Sequence, residues 1–586
     1  MAQETLISPG VLTVENDQSF ITQGPVTVGL ALVGPTVKGL PNVPTVVTSY
    51  SDFKNKFGGS FISGGAAYEF LTSIAAYNYF LQGGSTILVT RVVASTFTPA
   101  TSSIIATTAS ATTPSFVLET LNVGTINNNE GSILSNNSLS SGTADNVRWE
   151  VSNVNAKAGT FSVLVRRGDD NQNSKVVLES YPNVSLDPLQ PNYIAAVIGD
   201  YKKSPQPDGN GSWYIQISGS YPNASRYVRV KSVASTPNYF NNAGGVGTDT
   251  SGNSWSGSLP AVGSGSAGGA FGAASGNDIP SIGNSLNTDI ASNGTFTTQG
   301  LRSDATIDNY YTASSILANK DEYDYSLLSA PGIIGQYHVA DASFIQNAEA
   351  RGDFFYIEDL VPFGATIGAA VTQAQAVDTN YAGAYWPWVQ VVSQETNKLV
   401  WVPASTVMPG VYAFNDDVSA EWFAPAGLNR GGIGGVIQAE RKLSPSDRDT
   451  LYAGKVNPIA TFPNIGVTAY DQKTLQSKAS ALDRINVRRL LIALKRYIGN
   501  VAKSLVFEQN TTVTRNRFLA QVTPYLESVQ QKQGLYTFQV IMDDSNNTPD
   551  VIDRNQLVGQ IFLQPTKTAE FIRLDFNVQP TGATFA

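Results

Sequence analysis

A chain of 586 residues with no cysteine and a single histidine, His338, excludes thiol catalysis, disulfide scaffolds, iron–sulfur clusters and zinc sites built on cysteines or several histidines. Charged residues make up 14% of the chain, against about 25% in an ordinary soluble domain, and the formal net charge is -9. A surface rich in Ser, Thr, Asn, Gln and Gly suits repeated packing against copies of itself, because it lacks the charge that keeps monomers apart. The length suffices for about three to four domains, each large enough for its own core. The opening residues, Met1 to Gly10, hold no basic region followed by an apolar one, so no signal peptide is expected. Nowhere do eighteen apolar residues run together, so the expectation is a soluble protein without membrane insertion.

Taken in chain order, Pro25 to Val33 is a nearly continuous apolar run closed by Gly34-Pro35, which predicts a buried strand. Glu69 to Phe80 predicts a helix and Thr86 to Val93 a second strand, together a βαβ unit. Between residues 94 and 308 helical periodicity vanishes. Pieces such as Phe161 to Arg166 and Trp213 to Ile217 sit in Ser/Thr/Asn/Gly-rich connections, which reads as an inserted all-β domain. Within it, Asn241 to Gly300 reads as an exposed, mobile loop. The βα alternation then returns: a helix through Ser314 to Lys320, a strand through Asp324 to Leu328 ending at Pro331-Gly332, a helix near Ala342 to Ala350 and a strand at Phe354 to Ile357. The fold class expected is α+β and multidomain. An α/β core of 23–93 plus 309–415 is interrupted by the β insertion of 94–308. An α+β C-terminal domain of 416–570 follows, and arms of 1–22 and 571–586 flank the whole.

Ser480 to Arg496 opens the strongest amphipathic helix of the chain. Val487, Leu490, Leu491, Leu494, Ile498, Val501 and Leu505 recur as one buried stripe, and Asp483 is placed to cap its start. Arg488, Arg489, Lys495, Arg496 and Lys503 occupy the other face, which reads first as solvated and next as a contact for an acidic protein partner. Tyr497 is the only interleaved aromatic and the chain is acidic overall, so nucleic acid is not expected as a partner. Alternating strands follow on Tyr536, Phe538, Val540 and Met542, on Leu557, Gly559, Ile561 and Leu563, and on Ile572, Leu574, Phe576 and Val578.

Motifs that mimic chemistry fail on context. Gly263 to Gly268 matches G-x-G-x-x-G without the strand and helix that a dinucleotide needs. The two Arg-Gly-Asp tripeptides at Arg167 and Arg351 read as charged turns at strand ends. Asp543 to Asp550 lacks the glycine and closing glutamate of a calcium loop and reads as a turn held by Asn and Asp side chains. His338 reads as structural, at the end of a strand. No catalytic residue, cofactor or metal is expected.

Several segments occur in a recognisable order: Ser8 to Val11 with Glu15; Phe57-Gly58; Phe80 to Gly84; Leu88 to Val92; Tyr385 to Trp388; Val402 to Ser405; Pro409 to Ala413; Trp422 to Gly427; Leu451-Tyr452; Val456 to Pro458; Asp483 to Leu490; and Asn546 to Pro549 with Ile552 to Arg554. The set resembles the tail sheath proteins of contractile-tailed bacteriophages over roughly two-thirds of the chain. Tyr470 to Thr474 departs from the Gly-Ala-Arg-Thr-like sequence of many relatives, and 94–308 carries no aligned motif. The resemblance implies a structural subunit, not an enzyme. Such a subunit polymerises as stacked hexameric rings around an inner tube and contracts to drive that tube through the host envelope. It implies as partners the chain itself, a tail tube protein, and baseplate and tail terminator or neck proteins. It places the protein in the virion tail after assembly in the host cytoplasm. It also implies strand exchange between subunits, for which Leu6, Val11 and Val14 in the first arm and Ile572, Leu574, Phe576 and Val578 in the second are the candidates. A tube-facing role falls to Arg488, Arg489, Lys495, Arg496 and Lys503. A phage-tail-like bacteriocin or an extracellular contractile injection system fits the same resemblance. A tail-associated polysaccharide hydrolase, the reading from another class, needs a carboxylate pair in a groove, and no spacing singles one out.

Overall fold

The computed structural model describes residues 28–63, 66–93, 99–107, 114–123, 134–135, 138–140, 142–266, 304–336 and 340–570. Its backbone is an eight-stranded sheet built from β1 (Val28–Gly34), β2 (Thr45–Val47), β3 (Ile87–Arg91), β4 (Tyr325–Ile334), β5 (Phe355–Asp359), β6 (Ala382–Trp386), β7 (Asn457–Phe462) and β8 (Gly466–Ala469). The spatial order is β2-β3-β1-β4-β5-β6-β7-β8. The strands from β3 to β7 pair in parallel, and β2 and β8 close the edges antiparallel.

The parallel strands read as unbroken apolar runs because helices cover both faces. In β1, Leu30 and Leu32 point into one core, where they meet Phe53, Leu71, Ile74, Met408 and Tyr412. Ala31 and Val33 point into the other, against Tyr310, Phe344, Ala348 and Ala370. The expected βαβ unit is present: β1 and β3 pair in register Leu30 with Ile87, joined through the helix Leu71–Leu81. After β3 the chain leaves the sheet, and it re-enters as β4 on the opposite side of β1, with Val28 beside Tyr325.

In doubly wound sheets such a reversal of strand order opens a ligand crevice at the carboxyl ends of the strands. Beside β4 and β5 lies the buried 3-10 turn Ala404–Thr406, with the Ser405 amide and hydroxyl donating to Asp359 at 3.1 and 2.5 Å, and the Ser329 hydroxyl donating to the Ser405 carbonyl at 2.8 Å.

Three expectations need correction. β4 does not end at Pro331-Gly332 but runs through it. A register slip between Ser329 and Ile334, with Gly332 at φ 90°, absorbs the proline as a bulge. The core does not stop at residue 415, since β7 and β8 extend the same sheet; the Asn457 side-chain amide stitches β7 to the Ala384 carbonyl at 3.1 Å. The helix Asp304–Leu317 also starts earlier than the sequence pattern suggested.

The insertion folds around a separate core in which Phe116, Phe161, Val163, Leu186, Ile198 and Tyr239 meet. Its described strands form a four-stranded sheet, a three-stranded sheet and the hairpin of Lys202–Pro207 with Trp213–Ser218. One short helix, Ile194–Ile198, departs from the all-β expectation. Gly263–Ser266 is a strand paired with Arg148 to Val151, so the glycine motif is part of a ladder and not a phosphate loop. His338 and residues 267–300 of the expected loop lie outside the described residues.

On β5, Glu358 is fully buried beside Asp341, and Asp341 accepts the Tyr356 hydroxyl at 2.7 Å. Burial first, and then the Asp341 charge, push the Glu358 carboxyl well above the usual range, with only Lys455 opposing. A carboxyl raised in the folded state holds its proton more tightly there than in the unfolded chain. Its contribution is therefore present at low pH and is lost as pH climbs from about 4 through the raised value. Thermal unfolding should show a higher midpoint at pH 5 than at pH 8, and Glu358→Gln should flatten that difference. An unchanged slope in the variant would place the pH dependence elsewhere.

Candidate assembly surface

The long helix is Ile485–Lys503, and its apolar stripe is divided between two cores. Ile485 and Ile492 pack into the core beneath the sheet. Leu490 and Leu494 pack into a smaller core with Leu505, Phe518, Val522, Leu526 and Leu535, against which Leu491, Ile498 and Val501 are partly buried. Helix formation begins after a 3-10 turn, Ala481–Asp483, so Asp483 is not the cap; Arg484 occupies that position without a side-chain cap.

The basic face is not a solvated stripe, because both faces of the first turns are covered by protein. Arg489 is only 2% exposed; it forms a two-pronged ion pair with Asp416 at 2.8 and 2.5 Å and lies 4.9 Å above the Tyr412 ring. Arg488 is buried over Tyr381 at 4.2 Å and donates to Asn380 at 3.1 Å. Arg496 pairs with Asp324 at 3.1 Å, before β4. Lys495 and Lys503 remain exposed, Lys503 in a surface pair with Asp321 at 3.0 Å.

The return helix, Thr512–Gln531, is capped by Thr511 and packs antiparallel to the long helix, with Tyr497 stacked on Tyr525. It carries a hairpin of β9 (Leu535–Ile541) and β10 (Gln560–Pro565). One hairpin face, with Phe538, Val540, Ile561 and Leu563, turns into the small core. The other leaves Phe562 exposed opposite Gln539. Among the described residues no third strand pairs with either edge of this hairpin, and two strands alone are barely stable without a packing partner. The turn Asp543 to Asn547 between its strands is held by Asn and Asp side chains, as expected: the Ser545 amide donates to Asp543 at 2.9 Å and the Asn547 amide to the Val558 carbonyl at 2.8 Å.

Beyond β10 the chain is tied down immediately before residue 571. Arg484 holds Glu570 through two hydrogen bonds of 2.7 and 2.8 Å, Tyr452 donates to Glu570 at 3.2 Å, and Gln472 bonds Thr568 at 2.7 Å. Burial works against the Glu570 charge, yet the Arg484 contacts hold its carboxyl below the usual range. Burial pushes neighbouring Asp471 up to about 7. Sequence reading missed this anchor. Its one available signal was the departure at Tyr470 to Thr474, which supplies Gln472.

Residues 477–579 match the phage tail sheath C-terminal domain family. The chain is 39% identical over 221 residues to a tail sheath protein of Vibrio phage KVP40, an alignment covering 38% of this chain and 33% of that protein. It is 40% identical over 185 residues to a tail sheath protein of Enterobacteria phage T4, covering 32% and 28%. The chain thus spans about a third of the length of the curated relatives it matches. A solved sheath complex of an extracellular contractile injection system in its contracted state is 28% identical, covering 44% of this chain and 71% of that one, with a TM-score of 0.38.

The strand-exchange candidates Leu6, Val11, Val14, Ile572, Leu574, Phe576 and Val578 lie outside the described residues. The five basic candidates are not brought together as one surface. The buried position of Arg489 makes it structural: Arg489→Ala, which strands Asp416, should cost about 2–3 kcal/mol in urea unfolding followed by tryptophan fluorescence, whereas Lys495→Glu should change stability by less than about 0.5 kcal/mol.

Proposed function

We propose that this chain is the sheath subunit of a contractile tail, stacking as hexameric rings around an inner tube and driving that tube through a host envelope when the rings repack. The observation that carries the reading is the open-edged β9–β10 hairpin in a domain matched by the tail sheath family, with the chain anchored beside it at Glu570. An exposed strand edge accepts a strand from another chain through main-chain hydrogen bonds. Residues 571–579, with Ile572, Leu574, Phe576 and Val578 alternating, are the donor on one side, and Leu6 to Glu15 on the other. Heterologous contacts of this kind do not close on themselves and generate a helix.

The tail tube, baseplate and terminator or neck proteins are the partners of this reading, in a virion tail assembled in the host cytoplasm. The insertion of 94–308 faces outward and the C-terminal domain faces the tube. Of the basic residues, Lys495 and Lys503 are the exposed ones, placed to meet an acidic tube surface; Arg488, Arg489 and Arg496 act by fixing the helix. The work of contraction comes from the free-energy difference between two subunit packings, without a nucleotide. The role is structural and not enzymatic.

Negative-stain electron microscopy of the purified chain, alone and with its tube protein, tests the proposal: hollow tubes with a helical repeat are expected. Monomers under both conditions would overturn it. Removal of 571–586 should abolish the tubes while leaving the thermal midpoint of the subunit unchanged. Lys495→Glu with Lys503→Glu should weaken co-assembly with the tube protein without impairing folding, and normal co-assembly would remove these lysines from the tube contact.

A further inference from the structure

The turn joining the two C-terminal helices carries an apolar projection that the fold itself does not use. Phe507 is 101% exposed, and Val506 and Val513 beside it are exposed as well. Phe507 also stands at φ 70°, a left-handed conformation that a bulky side chain rarely adopts. The turn beneath it is firmly built. Leu505 is buried in the small core, the Glu508 amide donates to the Leu505 carbonyl at 3.1 Å, and the Asn510 side chain donates to the Gln556 carbonyl at 2.8 Å. Thr511 then caps the return helix. A fixed pedestal that holds Val and Phe side chains in water costs solvation and strain within the monomer, so its use lies outside the monomer.

The opposite end of the same helical hairpin carries a concavity. A cleft of about 1210 Å³ opens beside Asn486 and Gln530, at the start of the long helix and the end of the return helix; Trp422, Leu428, Tyr470 and Tyr536 line it together with polar groups such as Arg430 and Glu570. Leu428, Tyr470 and Tyr536 in that lining are exposed. The long helix has 19 residues, so knob and cleft stand about 28 Å apart along its axis. A projection at one end and a cleft at the other, on one chain, make a head-to-tail contact that repeats without closing.

We propose that Phe507, flanked by Val506 and Val513, inserts into the cleft lined by Trp422, Leu428, Tyr470 and Tyr536 on a second copy of this chain, as an apolar anchor between successive subunits. The proposal rests on the sheath reading above for the existence of a polymer, and adds a side-chain contact beside the root of the exchanged arm, where Thr568 and Glu570 also line the cleft. Insertion of the ring buries about 150–250 Å² of aromatic surface and places it against aromatic neighbours.

Two measurements test it. Phe507→Asn removes the knob and suits the left-handed backbone, so the monomer's thermal midpoint should hold or rise while the critical concentration for tube formation rises about tenfold or more. Cross-linking then identifies the occupant. The chain has no cysteine of its own, so Phe507→Cys combined with Tyr536→Cys, oxidised with diamide in assembled tubes, should give a ladder of covalent dimers, trimers and longer species. Phe507→Cys alone should give none. A dimer from the single variant would reveal a symmetric knob-to-knob contact and overturn the proposal. Cross-linking of Phe507→Cys to a cysteine introduced on the tube protein would assign the knob to the tube and overturn it too. Tubes that form at an unchanged critical concentration with Phe507→Asn, without a ladder from the paired cysteines, would refute the anchor and leave the sheath reading intact. Failure of the unaltered chain to assemble, with or without tube protein, would remove both.

Discussion

The helix Ile485–Lys503 serves two cores at once, and the rest of the C-terminal architecture depends on how it is held. Ile485 and Ile492 belong to the layer under the eight-stranded sheet, while Leu490 and Leu494 belong to the small core with the return helix and hairpin. Rotation of the helix would strip apolar surface from both cores together. The buried guanidinium of Arg489, clamped by the half-buried Asp416 and stacked on Tyr412, fixes its azimuth. An uncompensated charge there would be costly, so the pair specifies a single seating for the helix more than it adds net stability.

With the helix seated, the hairpin of β9 and β10 has no further strand on either edge among the described residues, and Glu570 beyond it is held at a defined point. Arg484, in the last position before the helix, grips Glu570 with both prongs. The same short stretch of sequence therefore sets the start of the helix and the root of the C-terminal arm. In the proposed sheath, a strand donated to a neighbour would transmit force only if its root did not slide, and a bidentate arginine–carboxylate pair supported by Tyr452 and Gln472 supplies that fixity. The α/β core acts as the platform. The buried Ala404–Thr406 turn is bonded to β4 and β5 through Ser329 and Asp359 and packs onto that platform.

Low charge and the two-ended C-terminal hairpin belong to one physical account. A surface that repels little tolerates close stacking of copies, and specificity must then come from shape: open strand edges, an anchored arm root, a Phe507 knob and an aromatic cleft. In the proposed sheath each of these would be cheap to break and remake as subunits repack, because strand pairing and apolar contact reform in a new register without bond chemistry.

Periodicity in the sequence was enough to find the buried strand at Val28–Gly34, the βαβ unit, the β-rich insertion, the long helix with its apolar stripe and the hairpin after Leu535, since each depends on local spacing of apolar residues. The ordered motifs also carried the family resemblance. Spacing could not tell which side of an amphipathic helix meets water. The run Arg488, Arg489, Lys495, Arg496 looked like one basic face, yet Arg488 and Arg489 are interior, because Asp416, Asn380 and the rings of Tyr381 and Tyr412 arrive from elements more than seventy residues away. For the same reason β7 and β8 were not seen as members of the core sheet, and Arg484 with Glu570 went unnoticed: neither pairing leaves a mark in local sequence. What the chain's own order of residues determined was the set of elements and their apolar faces. Which charges are buried, which edges stay open and where the arm is rooted were decided only by tertiary packing, because those properties depend on partners that sequence distance hides.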